Sequence, residues 1–97
     1  MGQPLAEPEQ LPPATEQQVR YHAGELIVLA ARHGITRLAL ASPGRLRGHV
    51  AEGRDLSDVF EFQRAATDLL GAEVVLFSEG ALRNKHVSPD LVTATPL

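Results

Sequence analysis

Residues 73–77 read EVVLF, an unbroken apolar and β-branched run that directly follows a helix-like segment ending Leu-Leu-Gly. A half-buried strand alternates polar and apolar residues, whereas a continuous run of this kind is the pattern of a strand covered on both faces. Such a strand needs neighbours beside it and other elements against it, which commits the chain to a layered fold built around a sheet. With 97 residues there is room for one small domain and a single core. Hydrophobic residues make up 43% of the chain and charged residues 22%, enough apolar surface for that core to form.

The rest of the chain supplies the other elements. Thr15 followed by Gln18 has capping-box spacing, and Val19, Ala23, Leu26, Ile27 and Ala30 recur at helical intervals up to Gly34, predicting a helix over residues 16–33. Residues 35–41, ITRLALA, alternate Leu38 and Leu40 with smaller or polar neighbours and suit a half-buried strand. Pro43, Gly44, Gly48 and Gly53 predict a loop over residues 42–54, in which RLRGHV contributes at most a few residues of irregular strand. A second helix over residues 56–70 has Asp55 or Ser57 as N-cap and Gly71 just past its end. Residues 78–87 suit a short helix, and TATPL is a polar, proline-bearing end. Helix, strand, loop, helix, strand is the order of a small α/β (α+β) sheet with two main helices. Residues 1–14 carry prolines at 4, 8, 12 and 13 among Glu and Gln, the composition of a flexible tail, which leaves residues 15–97 as the single domain.

Composition excludes several functions. A net charge of -3 does not suit a chain that binds nucleic acid through its overall field. The absence of cysteine removes disulfides, thiolate nucleophiles and cysteine-bound zinc. There is neither a leader-like N-terminus nor an apolar stretch of roughly 18 residues, so a cytoplasmic protein with no membrane contact is expected.

Few residues carry candidate chemistry. Arg32, Arg37, Arg45, Arg47 and Arg54, with His33 and His49, lie in a segment whose acids are Glu52 and Asp55, so they form either a patch for phosphate or an acidic partner, or a solvated loop. No aromatic residue is interleaved there for base stacking. His22, His33, His49 and His86 lack helical pairing with one another and a local carboxylate set, so no metal site is expected. Asp55, Asp58 and Glu61 are accounted for by the dipole of the second helix, with a metal cluster built from them as the alternative. Phe60 and Phe62 are two apart on that helix and cannot point the same way, so either both pack in different directions or one is exposed as a partner anchor.

The succession LAARHGITRLALA, DLSDVFEFQRAATDLLGAEVVLFSEGAL and ATPL resembles the minimal nucleotidyltransferases, small polymerase-β-like domains commonly paired with HEPN-domain toxins, over most of residues 24–97. The resemblance implies a nucleotidyltransferase-like sheet, here shortened. It also implies a Gly-Ser loop that holds a triphosphate at a helix N-terminus, a strand with two aspartates one residue apart, and a third aspartate on a later strand, the three carboxylates holding magnesium. This chain departs from each. Ser42 and Pro43 stand near the Gly-Ser position, leaving Ser42, Gly44, Arg47 and Gly48 as a remnant phosphate loop; the double-aspartate strand is missing from the segment after Gly48, with residues 45–50 left open as its replacement; and Val75 takes the place of the third carboxylate. Valine cannot ligate a metal. The resemblance therefore implies a catalytically dead relative with no metal and no cofactor, the antitoxin-type partner of a HEPN-like toxin. Phe60, Phe62, Arg45 and Arg47 are its candidate partner contacts. A residual enzyme that uses Mg2+ and ATP to transfer AMP, with ligands from Asp55, Asp58 or a partner, is the alternative. A self-associating domain paired across an exposed sheet edge is a further one.

Overall fold

The computed structural model describes residues 11–80 and 88–97. Helix α1 (Glu16–Tyr21) starts at Thr15, whose hydroxyl accepts from the Gln18 amide while the Gln18 side chain accepts from the Thr15 amide. This is the reciprocal cap that the spacing predicts. The single helix expected over residues 16–33 is two helices. His22, at φ -102° and ψ 19°, separates α1 from α2 (Ala23–Arg32). Its ring engages Glu25 three residues on, and Gly24, a weak helix former, follows the break.

Strands β1 (Ile35–Ser42) and β2 (Arg45–Val50) form an antiparallel hairpin. Pro43 and Gly44 make its turn, a proline with fixed φ followed by a glycine at φ 77°, the signature of a type II turn. An ordered strand of six residues thus runs through the segment whose glycines predict a loop. Gly48 explains the misreading: it is buried in β2, and a Cβ there would come within 2.8 Å of Ile35 Cγ2. Its missing side chain is a packing requirement and not a turn signal.

Helix α3 (Leu56–Leu70) runs between the expected limits, capped by Asp55 and closed by Gly71 at φ 67°. It is the crossover that lets β3 (Val75–Ser78) lie parallel to β2. After α4 (Pro89–Val92), strand β4 (Thr95–Pro96) pairs antiparallel with β1. The result is a four-stranded mixed sheet in the order β3-β2-β1-β4, an α+β fold as expected.

One face of this sheet holds the core. Leu38 and Leu40 of β1, Leu46 of β2 and Leu76 of β3 pack with Leu26 and Ala30 of α2 and Val59, Phe62 and Ala66 of α3. β3 differs from expectation, because it is an edge strand: Leu76 is buried, but Val75 and Phe77 on its other face are only half-buried. Pro13 and Ala14, expected within the tail of residues 1–14, are part of the fold. Pro13 bridges to Glu73, Ala14 donates its amide to the Glu73 carbonyl at 2.9 Å, and the Ala14 side chain is buried. Residues 1–10, and most of the short helix expected over 78–87, lie outside the described residues. Among the described residues no helix is long and apolar enough to cross a membrane.

Candidate functional site

Strand alternation sends Leu46 and Gly48 of β2 into the core and Arg45, Arg47 and His49 to the opposite face. The register with β3 sets Arg45 beside Val75 and Arg47 beside Phe77, so these four side chains share one surface. Helix α4 docks on that surface. Arg45 Nε donates to Asp90 Oδ2 at 2.8 Å and Arg45 Nη2 to Oδ1 at 3.3 Å, while Ser42 Oγ donates to Oδ2 at 2.7 Å. A two-pronged guanidinium contact of this kind fixes the carboxylate in orientation as well as place. The Arg45 hydrogen bond, followed by that of Ser42, holds the Asp90 carboxyl below its ordinary value. The Arg45 guanidinium also lies over the Phe77 ring, 4.6 Å from its centroid.

Arg47 is spent in a similar way. Its Nη1 donates to the Leu91 carbonyl at 2.7 Å, and Leu91 itself is buried. The Arg47 Nε is buried with no hydrogen-bond partner among the described residues. At the far end of the same hairpin, Arg37 Nη2 donates to Glu79 Oε1 at 3.1 Å, and His49 Nδ1 lies 3.6 Å from that oxygen. Arg37 sits in the β-bulge between Thr36 and Ala39 at φ 57°, a left-handed conformation that is costly for a side-chain-bearing residue. Most of the arginine-rich segment is therefore internally paired, since Arg54 also bonds Asp58 at 3.1 Å. Arg32 forms no ion pair among the described residues.

These placements correct several expectations. Ser42, Gly44, Arg47 and Gly48 do not form a phosphate loop: Ser42 serves Asp90, Gly44 makes the hairpin turn, Arg47 holds α4 and Gly48 is core. The turn leads into a strand, so there is no helix N-terminus to receive a phosphate. Residues 45–50, left open as a replacement for the missing strand, do form one, β2. Phe62 is fully buried and cannot contact a partner, whereas Phe60 is 58% exposed. Phe60 lies with Leu11, Arg64 and Val75 at a cleft of about 430 Å3 between α3 and β3.

One set of potential ligand atoms comes together across the two helices. His33, Asp58 and Glu61 bring one potential ligand atom each to within 4.8 Å of one another, with His33 Nδ1 3.8 Å from Glu61 Oε1. His33 thus has carboxylate neighbours that lie 25 residues or more away in sequence. Asp58 is already engaged by Arg54 and by the Asp55 amide. Asp55 caps α3, and its side-chain and amide hydrogen bonds with Ser57 hold its carboxyl below the ordinary value. The residues missed by sequence reasoning, Asp90, Leu91 and Glu79, carry no local signal, because each meets its arginine across more than 40 positions.

No family model matches the chain, and no curated protein matches it. Among solved structures, one described as a candidate minimal nucleotidyltransferase matches with a TM-score of 0.67 and 26% sequence identity. The match covers 86% of this chain and 96% of that one. The fold is nucleotidyltransferase-like. Its sheet face, in this chain, carries two arginines, one bonded to Asp90 and the other to the Leu91 carbonyl of α4.

Proposed function

We propose that the chain is a non-catalytic binding module on a nucleotidyltransferase-like scaffold, the antitoxin-type partner of a HEPN-like toxin. One observation carries the reading. β2 bears two charged residues with one residue between them, Arg45 and Arg47, and Arg45 lies in register with Val75 on β3, whereas the resemblance implies a strand with two aspartates and a later strand with a third. A guanidinium stays protonated and has no lone pair to give a cation, and valine has none either. The acceptor that does lie there, Asp90, is already bonded to Arg45 and Ser42. Without a metal, phosphoryl transfer loses the charge stabilisation on which it depends.

The toxin partner rests on the resemblance and on a surface suited to it. Phe60 stands exposed at the cleft beside Leu11, an aromatic anchor next to a concave site. Binding there would act sterically, by covering the partner's working surface. With Arg45 and Arg47 engaged by α4, the contact falls to Phe60 and its neighbours. Pairing across the β3 edge is a weaker reading, because the amides of Leu76 and Val74 already donate to Gln63 Oε1 and Thr67 Oγ1 at 2.8 and 3.2 Å.

A second reading, residual transfer of AMP, draws on the cluster of His33, Asp58 and Glu61. Calorimetric titration of the protein with ATP, in magnesium and then in chelator, separates the two. The binding-module reading expects no saturable, magnesium-dependent heat; its appearance, and its loss on Asp58→Asn, would establish the residual enzyme instead. Recovery of the tagged protein from its own host, with mass spectrometry, tests the partner. A stoichiometric small protein that is lost on Phe60→Ala supports the antitoxin role, and recovery of the chain alone removes it.

A further inference from the structure

The helix layer carries an apolar groove on its outer side, away from the sheet. Val28 and Gly24 of α2 face Leu69 of α3 across it, and its volume is about 810 Å3. Val28 is 55% exposed, unusual for a valine at the centre of a helix in so small a domain. Gly24 is not required by the fold: a Cβ added there meets nothing within 4 Å, and its φ is not among the positive values. A glycine within a helix lowers helix stability, so a position with open space around it would ordinarily favour alanine. Glycine at the rim of a groove permits another backbone to come close.

Charge placement identifies what fits there. Glu25 and Arg32 line the same groove, three residues before and four residues after Val28, with Asp68 of α3 beside them, and Glu25 also meets His22 of its own chain. An antiparallel crossing of two α2 helices at Val28 therefore sets Glu25 of each copy against Arg32 of the other. Arg32 has no ion-pair partner of its own among the described residues. A surface complementary to itself about a two-fold axis is what an isologous dimer needs. We infer that the α2–α3 groove is the contact surface of a symmetric homodimer, with α2 packed antiparallel on α2 of a second copy and two Glu25–Arg32 pairs at its ends. This surface lies away from the β3 edge and meets the cleft at Phe60 only at Asp68, which lines both, so the dimer does not rest on the binding-module reading.

The ten residues of α2 span about 15 Å. The patch is therefore smaller than the roughly 800 Å2 per partner of a standard interface, and a dissociation constant in the micromolar range or weaker is expected. Sedimentation equilibrium of the full chain, from about 1 μM to about 1 mM, covers that range. The wild type should pass from monomer to dimer mass. Glu25→Arg or Arg32→Glu alone sets like charges against each other and should weaken the dimer about tenfold or more, while the double exchange should restore it. Circular dichroism shows that each variant is folded, and amide shifts on dilution should be confined to α2 and the outer face of α3. A monomer mass across the whole range overturns the inference. So does a dimer that is indifferent to both single exchanges, or dilution shifts located on β3.

Discussion

Removing the Asp90 carboxylate tests whether the arginine face is closed by the chain itself. Asp90 accepts three hydrogen bonds, two from one guanidinium and one from a hydroxyl. Losing a charged hydrogen-bond partner costs about 1.5–3 kcal/mol when buried, whereas an exposed ion pair contributes about 0.2–1 kcal/mol. The side chains of Arg45 and Asp90 keep 35% and 25% of their surface, so the pair falls between these limits and must be discounted for screening. Asp90→Ala should then destabilise the protein by about 1–2 kcal/mol. In a double-mutant cycle with Arg45→Ala, the coupling should be about 1 kcal/mol. Urea unfolding followed by circular dichroism reads this as a fall in midpoint of about 1 M at unchanged slope, given a slope of about 1–1.5 kcal/mol/M for a small domain. Ser42→Ala should lower the cost of Asp90→Ala further, because it removes another donor that would be left without its acceptor. A coupling below about 0.3 kcal/mol would refute the closed face, since the two side chains would then not be holding each other in solution.

Helical phase makes an equally sharp contrast on α3. Phe62→Ala should cost about 3–5 kcal/mol, a large part of the stability of a domain this size, while Phe60→Ala should stay within about 0.5 kcal/mol by the same urea assay. Equal costs would mean that the helix is rotated from its described position. Acid should loosen α4: a carboxyl held below 3.8 contributes stability that is full above that pH and fades as pH falls through its lowered folded value. NMR of Leu91 should show that loss below about pH 4 in the wild type and no matching step in Asp90→Asn. Gln63→Ala strands the Leu76 amide at the sheet edge and should cost about 1 kcal/mol. It should also raise light scattering at high concentration, as an uncovered edge becomes free to pair.

How much of this was legible depended on range along the chain. The cap at Thr15, the α3 boundaries at Asp55 and Gly71, and the leucine alternation of β1 are local patterns, and each appears where its residues place it. β2 was hidden because glycine is ambiguous. Gly48 reads as a loop residue, yet it is there because Ile35, Leu38 and Leu76 leave no room for a Cβ. The edge position of β3 was hidden for a related reason, since an apolar run records how buried a strand could be and not where it sits in the sheet. The candidate site was least legible. Arg45 and Arg47 stood out as cations in sequence, but what they do is decided by Asp90 and Leu91, more than 40 residues downstream. Likewise, the cluster around His33 joins the end of α2 to the start of α3, which no spacing rule within either helix could reveal.

Two arginines on one sheet face create a demand that the rest of the chain must meet. Guanidinium groups packed against Phe77 and beneath a helix cannot shed their charge, so acceptors must be built in or the face must stay wet. The chain builds them in with Asp90 and the Leu91 carbonyl, and α4 is thereby fastened across β2. An anion that sought Arg45 from solution would have to displace a carboxylate already held by two guanidinium donors and a hydroxyl, whose effective concentration is that of a tethered group. The same contact that closes the face to cations by charge therefore closes it to anions by occupancy. A binding role for this domain is then left to surfaces the arginines do not govern, the cleft at Phe60 and the groove between α2 and α3. Arg45→Ala separates these cases, since it should open the face and loosen α4 while leaving partner capture through Phe60 intact. Loss of the partner together with α4 docking would place the working surface on the sheet after all.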